Sequence, residues 1–242
     1  MCYETSLTKD KPLVEYKYKA NFKIDFEYIP YYHRSAFGFP NLYIIKQDEQ
    51  DGIYPSTWGF VPEYSLENID GFRKKYNTYN ARSENILTSG TFKSSAMEKR
   101  CLIIADGFFE PHHINKVSIP YFCYQPTKDY QDGRDLFVFA GLYSTIEEKD
   151  KCYSCTILTK EANPFFAEVH NQKKRMPLVL NEGFINEWLT EGLNENQIKE
   201  IINLGFTPKE FKAHPVSRDL YKRNLDTNNP DIIKEVDSGT FF

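Results

Sequence analysis

Long apolar runs, a surplus of positive charge, an even set of cysteines and internal repeats are all missing from this chain of 242 residues. No apolar run approaches the ~20 residues that a helix needs to cross a bilayer, so we expect no membrane partner. Residues 1–25 carry charges throughout and hold no apolar core of the signal-peptide kind. The five cysteines, Cys2, Cys101, Cys123, Cys152 and Cys155, are odd in number, which argues for free thiols in a reducing, cytoplasmic setting rather than a disulfide framework. The formal net charge is −4, whereas a sequence-indifferent nucleic-acid coat is basic. Any nucleic-acid recognition would therefore need a local basic groove on an acidic body. With no repeat, linker or low-complexity tract, residues 1–242 read as one domain, and with no evident association stripe we expect a monomer.

What is present points to strands. Apolar residues make up 40% and aromatic residues 16% of the chain, and tyrosine and phenylalanine suit a pleated, half-buried surface. Residues 41–47 read as a strand, Asp51-Gly52 as a turn, and 53–60 as the returning strand of a hairpin. Residues 80–86, 101–105, 108–114, 119–125, 136–142, 153–159 and 176–180 read as extended. Helices are expected at 8–20, 66–76, 88–99, 163–171, 182–189 and 194–204, with Asn163-Pro164 as a cap and first turn and Gly205 as a stop. Many strands with scattered helices and little strict alternation predict an α+β fold, a curved, mainly antiparallel sheet or open barrel with peripheral helices. The polar tail, 224–242, is expected to wrap partly over the surface.

Cys2 directly follows the initiator methionine. Loss of Met1 would leave a free α-amine and a thiol on one residue. An α-amine has a pKa of about 7.7–8.0, so part of it is neutral near pH 7. An aldehyde meeting both groups can form an imine with the nitrogen and then a five-membered thiazolidine with the sulfur. The plainer alternative is a position that tolerates a small side chain, and the reactive reading needs partners elsewhere in the chain.

Such partners can be named. Asn80, Arg82 and Glu84 would share one face of a strand. There an asparagine could hold an amine and an arginine could clamp a phosphate, or the face could simply be solvated. Glu110, between Phe109 and Pro111, is expected in apolar surroundings, which suit general-acid work because desolvation disfavours the charged carboxylate; a carboxylate facing water is the alternative. His170 could move protons near neutral pH or cap a helix end, and the following Lys173-Lys174-Arg175 could meet phosphates. Cys152 and Cys155 would point to opposite faces of a strand, and His112 and His113 would point apart. Neither pair suggests a metal site.

Together these pieces resemble the SOS response-associated peptidase (SRAP) family. The matching elements stand in family order: Met1-Cys2, Trp58-Gly59-Phe60-Val61-Pro62, Asn80-Ala81-Arg82-Ser83-Glu84, Ala105-Asp106-Gly107-Phe108-Phe109-Glu110, Phe139-Ala140-Gly141-Leu142, Ile157-Leu158-Thr159, His170 with Arg175-Met176-Pro177, and His214-Pro215-Val216-Ser217. Any one motif is weak, but the ordered set, spanning residues 1–218, is specific. Residues 219–242 read as an extension packed on or beside it.

The resemblance implies capture of abasic sites in single-stranded DNA or at strand junctions, without metal or organic cofactor. Cys2 would be the covalent nucleophile and Asn80 would position it. Glu110 would protonate the sugar ring oxygen or otherwise shuttle protons, and His170 would assist imine formation and breakdown. Arg82, Thr159 and Arg175 match phosphate holders, and Tyr64 stands near where members carry a base-stacking tryptophan. Weak lyase activity and autocatalytic loss of Met1 are further implications. Two departures stand out. Tyr3-Glu4 replaces a common glycine and arginine, and Asn171 to Lys174 intervene before Arg175. The added Lys173 and Lys174 are expected to offset the charge that Glu4 takes away. The competing readings are an N-terminal cysteine amidohydrolase and a non-covalent single-strand binding module.

Overall fold

A computed structural model describes residues 2–23, 26–147, 152–222 and 224–237. The elements run in the order β1 (Glu4–Leu7), α1 (Lys11–Tyr18), β2 (Asn21–Phe22), β3 (Tyr31–Ser35), β4 (Asn41–Lys46), β5 (Glu49–Trp58), α2 (Ile69–Lys75), β6 (Asn80–Arg82), α3 (Lys93–Glu98), β7 (Arg100–Ala105), β8 (Gly107–Ile114), β9 (Val117–Tyr124), β10 (Phe137–Glu147), β11 (Cys152–Glu161), α4 (Pro164–Val169), β12 (Arg175–Pro177), α5 (Glu182–Trp188), α6 (Glu195–Leu204) and β13 (Lys212–Pro215).

The expected α+β fold with a curved, mainly antiparallel sheet is what these strands build. β11, β10, β7, β4 and β5 pair in succession, and β5 then pairs in parallel with β11, Trp58 against Cys155, so the ring of strands closes. β7 is buried along its whole length, Arg100 included, because it lies between β4 and β10 and is packed by α3 and α5 as well. A strand buried on both faces reads as one continuous apolar run, and the Cys101–Ala105 stretch does. Trp58, Tyr143, Phe139 and Leu158 belong to the same continuous core.

A second, five-stranded sheet has the order β13-β9-β8-β1-β3. It places the chain start between two neighbours, with Glu4 paired to Ser35 on one side and Phe109 on the other. A terminus held as an interior strand does not fray. Asp106 fixes its far end: the carboxylate accepts from Ser6 Oγ at 2.7 Å and Thr8 N at 2.8 Å. Gly107 is required beside it, since a Cβ there would come within 2.3 Å of Phe122. On the other face of this sheet Phe109, Phe122, Val216, Ile232 and Ile233 form a smaller apolar cluster, which seats the segment after residue 224.

The first hairpin turns at Gln47-Asp48, with Lys46 opposite Glu49, and Asp51-Gly52 lies inside β5 instead of at the turn. Neither turn residue has positive φ, and the register slips by a bulge after Ile45. The sequence signal of a glycine therefore misplaced the turn. By contrast Asn115 and Lys116, at φ 49° and 69°, supply the left-handed pair that a two-residue hairpin wants between β8 and β9. Extended structure after Asn80 stops at Arg82, and residues 83–88 form turns, so Glu84 does not share a strand face with Asn80 and Arg82.

Candidate active site

Four elements bring the predicted catalytic residues together. Cys2 precedes β1, Asn80 opens β6, Glu110 lies on β8, and His170 caps the C-terminus of α4. Each has a local cause. Trp58 donates its indole N–H to Tyr79 O at 2.9 Å, fixing the entry to β6. Gly59, at φ 131°, turns the chain away where a Cβ would strike the Phe39 ring. Asn163 caps α4 by accepting from Phe166 N at 2.9 Å, and Phe166 is buried, so the helix end that carries His170 is held from both directions.

Asn80 Nδ2 donates to the carbonyl of Cys2 at 2.8 Å. The Asn80 Oδ1 atom is buried with no hydrogen-bond partner among the described residues. Ala36 N donates to Tyr3 O at 2.8 Å, so the first residues are clamped on either side of the Tyr3 peptide. Glu110 Oε2 lies 2.9 Å from His170 Nδ1, and both side chains are buried. Burial pushes the Cys2 thiol well above its ordinary pKa, and the nearby Glu110 charge pushes it further. Met1 lies outside the described residues.

A cleft of about 390 Å³ opens over this pair, with Tyr3, Glu4, Glu110, His113, His170 and Lys173 on its walls. Cys2 itself is fully buried alongside. Glu4, expected to repel phosphate, is occupied: its carboxylate meets His33 Nε2 at 2.5 Å and accepts from Ser35 Oγ at 3.1 Å. The His33 Nδ1 atom in turn meets Thr227 Oγ1 at 2.7 Å, which ties the late segment to the site.

The predicted phosphate holders group at the junction of β6, β11 and β12. Arg82 pairs in register with Thr159, and Thr159 with Pro177. Arg82 is exposed and Thr159 buried. Arg175 is engaged: its guanidinium grips Glu84 with both nitrogens, at 2.6 and 3.0 Å, and also donates to Thr159 O at 2.7 Å. Desolvation raises the Glu84 pKa, but the hydrogen bond and charge of Arg175 outweigh it and leave the carboxyl below its usual value. Lys173 and Lys174 are exposed; Lys173 reaches the cleft, and Lys174 sits at φ 48° in the turn closed by its own N–H to His170 O at 3.0 Å. Tyr64 is exposed and lies elsewhere, edge-on to Phe72.

His113 was not read as part of the site. Asn171, within the segment after His170, accepts from His113 N at 3.0 Å and donates to His113 O at 2.8 Å, which holds that residue on the cleft wall. Desolvation lowers the His113 pKa, and His170, His112 and Lys173 lower it further. The sequence signal was its position three residues after Glu110, with an odd separation that period-two reasoning places on the opposite face. His112 makes a different contact, with its Nδ1 at 3.0 Å from Val169 O. No group of three or more possible metal ligands occurs among the described residues, and none of their helices is long and apolar enough to cross a membrane.

The abasic site processing protein YoaM of Bacillus subtilis is 29% identical over 179 residues, covering 73% of both chains. The abasic site processing protein HMCES of Xenopus tropicalis is 27% identical over 233 residues, covering 87% of this chain and 67% of its own length. A solved structure of a Bacteroides thetaiotaomicron protein superposes with a TM-score of 0.80 at 26% identity, over 97% of this chain and 100% of that one. Together with the SOS response associated peptidase (SRAP) family model, which matches residues 1–223, these likenesses establish that the chain belongs to the SRAP family.

Proposed function

We propose that this protein processes abasic sites in DNA by covalent capture, with Cys2 as the nucleophile. The observation that carries this reading is the Asn80 hydrogen bond that holds the Cys2 peptide close to the buried Glu110–His170 pair. The similarity to proteins named for abasic site processing supplies the substrate class.

The chemistry follows from the groups present. Once Met1 is gone, Cys2 has an α-amine whose neutral fraction is appreciable near pH 7. The thiol, by contrast, is held in its protonated form by burial and by Glu110. The amine therefore attacks first. Glu110 and His170 share one proton across their 2.9 Å contact; that proton passes to the ring oxygen of the sugar as the ring opens, and the hydroxyl proton at C1′ returns to the same pair. Nitrogen bonds to C1′, water departs with a proton from the same pair, and an imine remains. The thiol then adds to C1′, its proton passes to the nitrogen, and the thiazolidine closes. The net change joins aldehyde and aminothiol with loss of one water. An imine that instead loses a C2′ proton breaks its C3′–O bond and expels the 3′ phosphate, a β-elimination that would give a weak lyase side reaction.

Arg82, Thr159, Lys173 and Lys174 would line the path of the phosphates, and Arg175 would join them when Glu84 yields it. The natural substrate is then a single strand or a strand junction, met in the cytoplasm by a monomer. A cysteine amidohydrolase would need a thiolate, and the surroundings of Cys2 act against one. The test is incubation of purified protein with uracil-excised single-stranded DNA, followed by heating and denaturing electrophoresis, with mass spectrometry of the chain start. A heat-stable adduct lacking Met1 is expected, lost in Cys2→Ala. A full-strength adduct in Cys2→Ala would overturn the reading.

A further inference from the structure

The helix α2 carries Arg73, Lys74 and Lys75 in its last turn, beside two tyrosines that the cleft does not use. Tyr64 is 68% and Tyr76 48% exposed, and both rings lean on Phe72, at centroid distances of 6.3 and 4.9 Å. Phe72 is buried and anchors them. Lys75 Nζ lies 5.2 Å from the Tyr76 ring centroid. No carboxylate makes an ion pair with Arg73, Lys74 or Lys75 among the described residues. Of the nearby acids, Glu63 is taken by Lys99 at 2.6 Å, Glu67 precedes the helix, and Asp70, one turn before Arg73, acts on that guanidinium through its charge, which leaves Lys74 and Lys75 as the exposed cations.

Cations in a last turn complement a helix dipole, which by itself accounts for the basic run. It does not account for two large rings left in water next to them. An exposed aromatic platform flanked by exposed lysines is the arrangement that holds unpaired bases and their phosphates. The patch is also continuous with the cleft. The Arg73 guanidinium packs on Phe39 at 4.6 Å, Phe39 on Tyr79 at 5.4 Å, and Tyr79 on the cleft residue Tyr3 at 6.2 Å.

We propose that α2 with Tyr64 and Tyr76 is a second binding surface, for the stretch of single-stranded DNA that runs on from the lesion. It rests on the reading of DNA as substrate. Bases of the flanking strand stack on Tyr64 and Tyr76 while Lys74 and Lys75 take the phosphates. Arg73 bridges the patch to the cleft. This also answers a shortage of charge, since the acidic body commits Arg175 to Glu84 and needs cations elsewhere.

The experiment uses the full chain and an intact oligothymidylate without any lesion, so that binding is read apart from the covalent chemistry. Affinity is measured by fluorescence anisotropy at several salt concentrations, with a long strand and with one of about three nucleotides. For Lys74→Glu combined with Lys75→Glu, the slope of log K against log salt on the long strand should shrink by about 1.4, at ~0.7 for each phosphate no longer neutralised. The preference for the long strand over the short one should shrink with it. Tyr76→Ala, which leaves every charge in place, should weaken long-strand binding at least about fivefold with the slope unchanged. A wild-type slope in the lysine variant, or equal weakening on the two strands, overturns the proposal. Wild-type protein that binds the long strand but forms no adduct with abasic DNA refutes the proposed function and leaves this surface standing.

Discussion

Replacing Glu110 by glutamine keeps the shape of the side chain and removes one charge from a place that water does not reach. The structure fixes three consequences. First, the contact to His170 at 2.9 Å becomes a neutral one. A hydrogen bond to a charged group is worth about 1.5–3 kcal/mol, so denaturant unfolding should show a loss within that range, and the melting temperature should drop by roughly 3–12 °C for a chain of this size. Second, the amide cannot carry a proton. Removing a positioned acid or base costs about 10²–10⁴ in rate, or about 2.7–5.4 kcal/mol on the barrier. Adduct formation with abasic DNA, followed by quenched electrophoresis under single-turnover conditions, should slow by that factor. Third, the Glu110 charge is one cause of the high thiol pKa, after burial. Its loss should move the Cys2 thiol pKa down and speed alkylation by iodoacetamide at fixed pH. The variant is therefore expected to be slower with the aldehyde and faster with the alkylating reagent. A chemistry that began with thiolate would speed up in both. An adduct rate that rose or stayed level in Glu110→Gln would refute Glu110 as the proton carrier and the amine-first order with it.

Asn80→Ala removes the 2.8 Å bond to the Cys2 carbonyl. It should cost about 1 kcal/mol of stability but on the order of 100-fold in adduct rate, because a small misplacement of a reacting group is expensive; equal modest losses in both would reduce Asn80 to an ordinary structural contact. Glu84→Gln should free Arg175 and steepen the salt slope of DNA binding by about 0.7, measured by anisotropy. The folded pKa of Glu84 is depressed, so its pairing is complete above the ordinary carboxylate range and lost as pH falls through the folded value; wild-type binding at neutral pH therefore reflects a fully occupied Arg175. The folded pKa of His113 is likewise depressed, so the fold holds fewer protons there than the unfolded chain. Stability from this group is present above about pH 6.5 and is lost as pH falls below it, and His113→Gln should flatten the decline of melting temperature over that interval; an unchanged pH profile would remove His113 from the account.

Motif order singled out Cys2, Asn80, Glu110 and His170 as candidates in advance, and the fold brings the four into one place. The strand from Cys101 to Ala105 was legible as a run apolar enough to be buried on both sides. The Asn163 cap was read correctly because it is local: its partner is three residues away. The hairpin turn at Gln47-Asp48 was missed because it carries neither glycine nor proline, and a bulge lets ordinary residues make it.

What the amino-acid order determined by itself was the α+β class, which rests on periodicity, and the family resemblance with its candidate residues, which rests on ordered motifs. Only the tertiary structure decided their electrical state and company. It closed the ring of strands by pairing β5 with β11, about a hundred residues apart in the chain. It gave Arg175 to Glu84, Glu4 to His33 and the cleft wall to His113. It also buried the Cys2 thiol beside a carboxylate. The physical reason is range: propensity and capping act over a few residues, whereas desolvation and charge act through space, between groups that the chain brings together only when it folds.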